Sequence, residues 1–261
     1  MDLPQAFTRA IVRPPGANYA TGITSATEGV PDLDKALGQH REYCEALRRC
    51  GLVVHATAAD RRYPDGTFVE DTALIAGNLA IVTRPGAPSR RGEIEGLAPL
   101  LQSLDLSVQR IEAPGTLDGG DICQVDRHFL IGLSHRTNVE GASQLAQILG
   151  RHGCGSSVID IRASRSLLHL KSGLAYAGDR RLVAISQLSL PEELRDYEIL
   201  EVAPTEMYAA NCVRVNDHIL VAAGYPQVHD RLERLGYSII SLDMSEFRKM
   251  DGGLSCLSLR F

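Results

Sequence analysis

The residues with most to offer chemically sit at the end of the chain. Residues 250–261 read MDGGLSCLSLRF, two glycines followed closely by one cysteine, Cys256. A glycine pair allows backbone torsions closed to other residues and lets a ligand come close. The alternating leucines that follow are strand-like, so the thiol would be held firmly where a loop meets a strand and left open on one side. Cys256 reads either as a nucleophile or as a buried core cysteine, the commoner fate of a free thiol. A nucleophilic reading needs partners from elsewhere in the chain.

Four other places offer them. Residues 65–71 (DGTFVED) hold three carboxylates, Asp65, Glu70 and Asp71, beside an apolar run. An acidic loop is usually solvated, but Phe68 and Val69 pull this one inward, where a carboxylate needs a cation or donor. Residues 115–121 (GTLDGGD) put Asp118 and Asp121 on either side of a glycine pair, which reads as a tight turn or as a carboxylate pair open to a ligand. His169 lies between leucines in residues 167–173 (LLHLKSG), the setting of a satisfied core histidine. It is also the best-placed partner for a thiol, because imidazole takes and returns a proton near neutrality. Arg84, Arg90 and Arg91, with Arg136, make a set of cations from which two could clamp a ligand carboxylate.

These groups fall at the edges of a recurring unit. An apolar β-type run follows a polar turn at residues 8–13, 77–84, 126–134, 179–186 and 216–224, and in four of the five a second strand-like run precedes the turn. Gly77-Asn78 and Asn216-Asp217 are hairpin signals. Helical periodicity follows several hairpins: roughly residues 32–50, a stretch opening near Asn138, and about Val228 to Leu235. A further strand-like run follows each, at residues 52–56, 156–161 and 237–242. The pattern is strand, strand, helix, strand, about five times at a period of roughly 50 residues, which suggests blades around a centre rather than a Rossmann sheet. With no linker, low-complexity segment or charge run, residues 1–261 read as a single domain.

The net charge of −5 argues against a nucleic-acid partner. The six cysteines form no Cys-x-x-Cys pair and no Cys/His cluster suited to a structural zinc. The opening residues 1–7 lack the basic start and apolar stretch of a signal peptide, and no apolar run is long enough for a membrane span. The expectation is a cytoplasmic protein with free thiols.

Taken in order, FVED, SRRGE, GTLDGGD, SHRTN, HLKSG, YAANC and DGGLSC closely resemble the dimethylarginine dimethylaminohydrolases, over essentially the whole chain. That family belongs to the guanidine-modifying (pentein) superfamily, with arginine deiminases and amidinotransferases. The resemblance implies an α/β fold, a five-bladed α/β propeller of ββαβ repeats with pseudo-five-fold symmetry. It puts the nucleophile on Cys256, the general acid/base on His169, and on Asp118 a carboxylate that either orients the histidine or faces a guanidinium. Substrate contacts map onto Asp65, Glu70, Asp71, Arg90 and Arg136, with a backbone carbonyl at Met250 and a mobile flap residue at Ile23. Three departures stand out. The flap residue is Ile23 rather than Leu, Asp118 replaces the Glu of some bacterial members, and His169-Leu170-Lys171 lacks the HxD of arginine deiminases. The last removes a partner for an unsubstituted guanidinium nitrogen and favours a methylated one.

The implied reaction converts Nω-methylated arginine and water to L-citrulline and a methylamine through a covalent S-alkylthiouronium, with no cofactor and no metal. The alternatives are an arginine deiminase-like hydrolase of unmethylated arginine or another guanidine, and a non-catalytic methylarginine-binding protein. A lone Cys/His pair would take at most adventitious zinc. The expected partner is a small-molecule substrate, with no nucleic acid or membrane, for a monomer or homodimer.

Overall fold

The computed structural model describes residues 6–164 and 166–261; residues 1–5, on which part of the signal-peptide reading rests, lie outside the described residues. In chain order the elements are β1 (Arg9–Val12), α1 (Leu33–Arg49), β2 (Val53–Ala56), β3 (Ala73–Ala76), β4 (Leu79–Val82), α2 (Leu97–Ser103), β5 (Ser107–Arg110), β6 (Ile122–Val125), β7 (His128–Leu133), α3 (Val139–Arg151), β8 (Gly155–Asp160), β9 (Leu174–Gly178), β10 (Arg181–Ile185), β11 (Glu198–Val202), β12 (Val213–Val215), β13 (His218–Ala222), α4 (Pro226–Arg234), β14 (Ser238–Leu242), α5 (Ser245–Arg248) and β15 (Leu259–Arg260).

The strands form five sheets of three: β15-β1-β2, β3-β4-β5, β6-β7-β8, β9-β10-β11 and β12-β13-β14. Each has one antiparallel and one parallel pairing, so the middle strand takes a neighbour on both edges. In the last sheet Leu220 lies opposite Val213 on one side and Ile240 on the other. Middle strands such as β4 are buried throughout, which is why they read as unbroken apolar runs instead of alternating ones. The hairpin turns use residues that tolerate a left-handed backbone: Gly77 (φ 59), Asp126 (φ 52), Asp179 (φ 52) and Asn216 (φ 54). This is the five-bladed α/β propeller.

The helices form where their caps begin. Asp32 Oδ1 accepts the Lys35 N–H at 2.9 Å to open α1, and Asn138 Oδ1 accepts Gly141 N–H at 2.8 Å to open α3. α1 then buries Ala36, Tyr43 and Leu47 against its blade. Two features depart from the sequence reading. The crossover from β10 to β11 holds only a single turn, Glu192–Leu194, so one blade lacks the expected helix; Pro191 precedes that turn and the connection is short. The run after Cys256 is strand only at Leu259–Arg260, because Ser255–Leu257 forms one helical turn. That final strand closes the ring: Leu259 pairs with Ile11, and Phe261 O accepts the N–H of Thr8 and Arg9 at 2.8 and 2.7 Å. Cys256 is therefore tied to the join between the chain's two ends. Among the described residues no helix is long and apolar enough to cross a membrane.

Candidate active site

The loops between blades converge on one small cavity lined by Ile23, Asp65, Phe68, Asp71, Arg90, Arg136, Leu168, His169, Met250, Asp251, Gly252 and Cys256. Cys256 is half-buried, whereas the other five cysteines are free and buried. The cavity is about 20 Å³, room for roughly one water.

His169 is held from behind. Its Nε2 is 3.1 Å from Asp118 Oδ2, and Asp118 is wholly buried, with Oδ1 accepting the Gly86 N–H at 2.8 Å. Asp118 thus meets the histidine. The second aspartate of GTLDGGD also serves the histidine loop: Asp121 Oδ1 accepts Leu170 N–H at 3.0 Å, and its Oδ2 accepts Ser134 and Thr137 hydroxyls, each at 2.6 Å. The glycines between them make close packing possible, since a Cβ at Gly120 would collide with His169 and Asp71.

Asp71 Oδ1 accepts Gly120 N–H at 2.9 Å and its Oδ2 accepts Arg90 Nη1 at 2.6 Å. Burial opposes its charge, but His169 and Arg90 outweigh burial and hold the carboxyl well below the usual range. The reciprocal effect acts on His169. Burial disfavours its imidazolium, yet Asp71, Asp121 and Asp118 together raise it to about 9. Burial, with Glu70 and Asp71 nearby, pushes the Cys256 thiol up to about 12, against a smaller opposing pull from Lys171. The resting pair at neutral pH is a thiol and an imidazolium.

Two expected ligand contacts are arranged differently. Arg90 is already engaged: Nε and Nη2 donate to the two Glu93 oxygens at 2.9 and 2.8 Å, Nη1 to Asp71, and Nη2 also to Phe68 O at 3.2 Å. Arg136 is the guanidinium with an uncommitted donor, for its buried Nη1 has no hydrogen-bond partner and lies 3.7 Å from Asp118 Oδ2. Glu70 does not line this cavity. Its Oε1 accepts Lys171 Nζ at 2.6 Å and Arg260 Nη2 at 3.2 Å, and it faces a separate cavity of about 800 Å³. Its two cationic partners are far away in sequence, so no local spacing marked them.

Ile23 and Asp65 are joined, the Ile23 N–H donating to Asp65 Oδ1 and Oδ2 at 3.0 and 3.2 Å. Asp251, which the sequence reading passed over, accepts Ser25 N–H at 2.6 Å, Ser25 Oγ at 3.0 Å and Thr24 Oγ1 at 3.3 Å. Met250 is buried in the cavity wall. The glycines before Cys256 clear room for protein, not ligand: a Cβ at Gly252 would strike Phe68 and one at Gly253 would strike Asn211.

Asp71, Asp118 and His169 bring ligand atoms within 4.8 Å of one another, as does a surface trio of half-buried His229 with exposed Asp230 and Glu233. In the first trio the carboxylate oxygens already hold backbone N–H groups, Arg90 and His169, which suits a flat organic cation better than a metal.

The chain is a ring of ββαβ blades with thiol, imidazole and carboxylate gathered in one cavity, and the arginine deiminase family model matches its residues 102–216. At the level of family, the chain belongs to the N(G),N(G)-dimethylarginine dimethylaminohydrolases. It is 46% identical to the Pseudomonas aeruginosa member over 98% of this chain and 100% of that one, and 32% identical to a Streptomyces coelicolor member over 97% and 96%. A structure of a mutant P. aeruginosa enzyme complexed with citrulline superposes with a TM-score of 0.94 at 45% identity, covering 98% of this chain and 100% of that one. The N-terminal domain of ArgZ shares the fold, with a TM-score of 0.86 at 18% identity over 97% of each chain.

Proposed function

We propose that this protein hydrolyses Nω-methylated arginine, asymmetric dimethylarginine and monomethylarginine, to L-citrulline and dimethylamine or methylamine. The observation that carries the reading is the shared cavity of Cys256, His169, Asp71 and Arg136 in a chain 46% identical to a dimethylarginine dimethylaminohydrolase. Family membership supports the substrate; the residue roles are inferred from position and chemistry.

A guanidinium carbon is resonance-stabilised and its group stays protonated, so attack needs a strong, soft nucleophile. The bound cation favours ionisation of Cys256, whose thiol otherwise keeps its proton at neutral pH; the thiol proton is released to solvent, where the departing amine later takes one up. The thiolate adds to the guanidinium carbon. His169, an imidazolium at neutral pH, protonates the methylated nitrogen, the C–N bond breaks and dimethylamine leaves. What remains is a cationic S-alkylthiouronium on Cys256, opposite the Asp71 carboxylate. Neutral His169 takes one proton from water as its oxygen adds to that carbon. The C–S bond then breaks, citrulline leaves, and the second proton returns to the thiolate. Asp118 holds His169 in place. Asp65 suits the substrate ammonium and the Met250 carbonyl a nearby N–H. Arg136 suits the carboxylate, while Arg90, committed to Glu93 and Asp71, frames the cavity. Glu70, paired with Lys171, lies outside the cavity and is given no substrate contact. We place the reaction in the cytoplasm, where a free active-site thiol persists.

The deciding experiment is incubation with asymmetric dimethylarginine and, separately, with free arginine, measuring citrulline. Citrulline from the methylated substrate but little from arginine is expected, and a Cys256→Ser variant should form none. Comparable turnover of free arginine would favour the deiminase-like alternative; no turnover of either would overturn the reading.

A further inference from the structure

Residues 208–212 (YAANC) take no part in the chemistry above, yet their asparagine touches both halves of it. Asn211 follows the short helix Pro204–Ala210 and is 7% exposed. Its Nδ2 donates to Lys171 O at 2.7 Å and to Ser255 Oγ at 3.0 Å, while its Oδ1 accepts Ser255 N–H at 3.0 Å. Lys171 is two residues beyond His169, and Ser255 immediately precedes Cys256. One planar amide therefore joins the loop bearing the acid/base group to the loop bearing the nucleophile. Gly253 completes the fit, because any side chain there would occupy the space of the Asn211 amide.

We propose that Asn211 is a positioning residue that fixes Cys256 relative to His169, an inference that rests on the functional reading above. Only a side chain with two donors and an acceptor in one plane makes all three bonds. Aspartate has the shape but no donor, and alanine lacks all of them. The amide has little else to stabilise, since its three partners all belong to those two loops. Its effect is thus on geometry between the reacting groups, where an error near 1 Å costs on the order of 10² in rate.

The test compares Asn211→Ala and Asn211→Asp with Glu206→Ala. Glu206 lies in the same short helix but caps α4, its two oxygens accepting Gln227 N–H at 3.0 Å and Val228 N–H at 2.8 Å. Both Asn211 variants should lose kcat by about 10–100-fold with KM within about threefold. In a Cys256→Ser background, citrulline affinity should be unchanged by Asn211→Ala. Amide hydrogen exchange should speed up in both peptides, residues 169–173 and 250–257. Glu206→Ala should lose stability and leave kcat alone. Ser255→Ala, which keeps two of the three bonds, gives a milder variant if Asn211→Ala does not fold, with kcat expected to fall by about 3–10-fold. A kcat within twofold of the parent, a loss matched by the unfolded fraction, or faster exchange in only one of the two peptides overturns the proposal. If the parent makes no citrulline, the functional reading fails on its own, and the exchange comparison still decides whether Asn211 couples the loops.

Discussion

His169 Nε2 stands 3.1 Å from Asp118 Oδ2, and Asp118 has no exposed surface, so the carboxylate meets the cavity through its neighbours, the imidazole first and the Arg136 guanidinium at 3.7 Å second. Burial alone would lower the imidazolium; Asp71, Asp121 and Asp118 reverse that and bring it to about 9. Removing one of the three charges lowers it. Asp118→Asn should cut kcat by roughly 10–100-fold, within the range for a positioned acid/base group, and move the alkaline limb of the kcat–pH profile to lower pH. An unmoved limb would show that the imidazolium proton is not what the reaction uses. The same shift bears on stability. The folded protein binds this proton more tightly than the unfolded chain does, so the contribution is complete below the ordinary histidine value of 6.5 and disappears as pH rises through about 9.

Cys256 titrates against the intuition for a nucleophile. Burial first, then Glu70 and Asp71, push its thiol to about 12, so the free enzyme holds little thiolate at neutrality. Alkylation of Cys256 by uncharged iodoacetamide, followed by mass spectrometry, should be slow at pH 7 and still climbing above pH 9. A cationic amidine reagent of similar intrinsic reactivity should react faster at pH 7, because it brings the charge that favours the thiolate. A plateau in the iodoacetamide rate below pH 8 would contradict this.

Much of the architecture was legible because middle strands buried on both faces must be continuously apolar and hairpin turns must tolerate left-handed torsions, as β4 and Asp126 do. The absence of a helix between β10 and β11 was not, since so short a connection carries no helical period either way. At the site, Cys256 and Asp118 stood out beside glycine pairs, His169 by its residue type and Asp71 as a carboxylate next to an apolar run. The roles of Glu70 and Arg90 did not, because each is fixed by partners: Lys171 and Arg260 for one, Glu93 and Asp71 for the other. Glu93 was in view within SRRGE, three residues after Arg90, a spacing that exposed ion pairs share and that says nothing of burial.

The two cavity arginines should separate by what they change. Arg136 has a buried donor with no hydrogen bond and only a 3.7 Å ion pair to Asp118, so Arg136→Ala should raise KM by about 10-fold or more, the loss of one charge-assisted hydrogen bond, and change stability less than Glu93→Ala does. Arg90 is part of the frame. Removing its fork partner with Glu93→Ala leaves a buried guanidinium poorly matched, a change that costs about 3 kcal/mol. Thermal unfolding should show a fall of roughly 5–10 °C. If Glu93→Ala melts like the parent, Arg90 is not held as its hydrogen bonds indicate.

With room for roughly one water in the cavity that Ile23 helps to line, the proposed reaction requires the segment around Ile23 to lift for substrate and return before the chemistry. Two carboxylates hold it down: Asp65 through the Ile23 N–H, and Asp251 through Ser25 and Thr24. Asp65 and Asp251 both line the cavity, but Asp65 is also the proposed ammonium contact, so its removal would mix two effects, whereas Asp251 has no substrate contact proposed for it and offers a cleaner test. Its backbone is left-handed, with φ 55, a conformation asparagine tolerates. Asp251→Asn therefore keeps shape and torsion while weakening an anionic acceptor that takes three hydrogen bonds. The closed state loses stability and the bound substrate escapes sooner. KM should rise by about 3–10-fold, the loss of roughly 1 kcal/mol of a charge-assisted bond, while kcat changes less than about threefold. A fall in kcat at constant KM would instead place Asp251 in the chemistry and not on the flap.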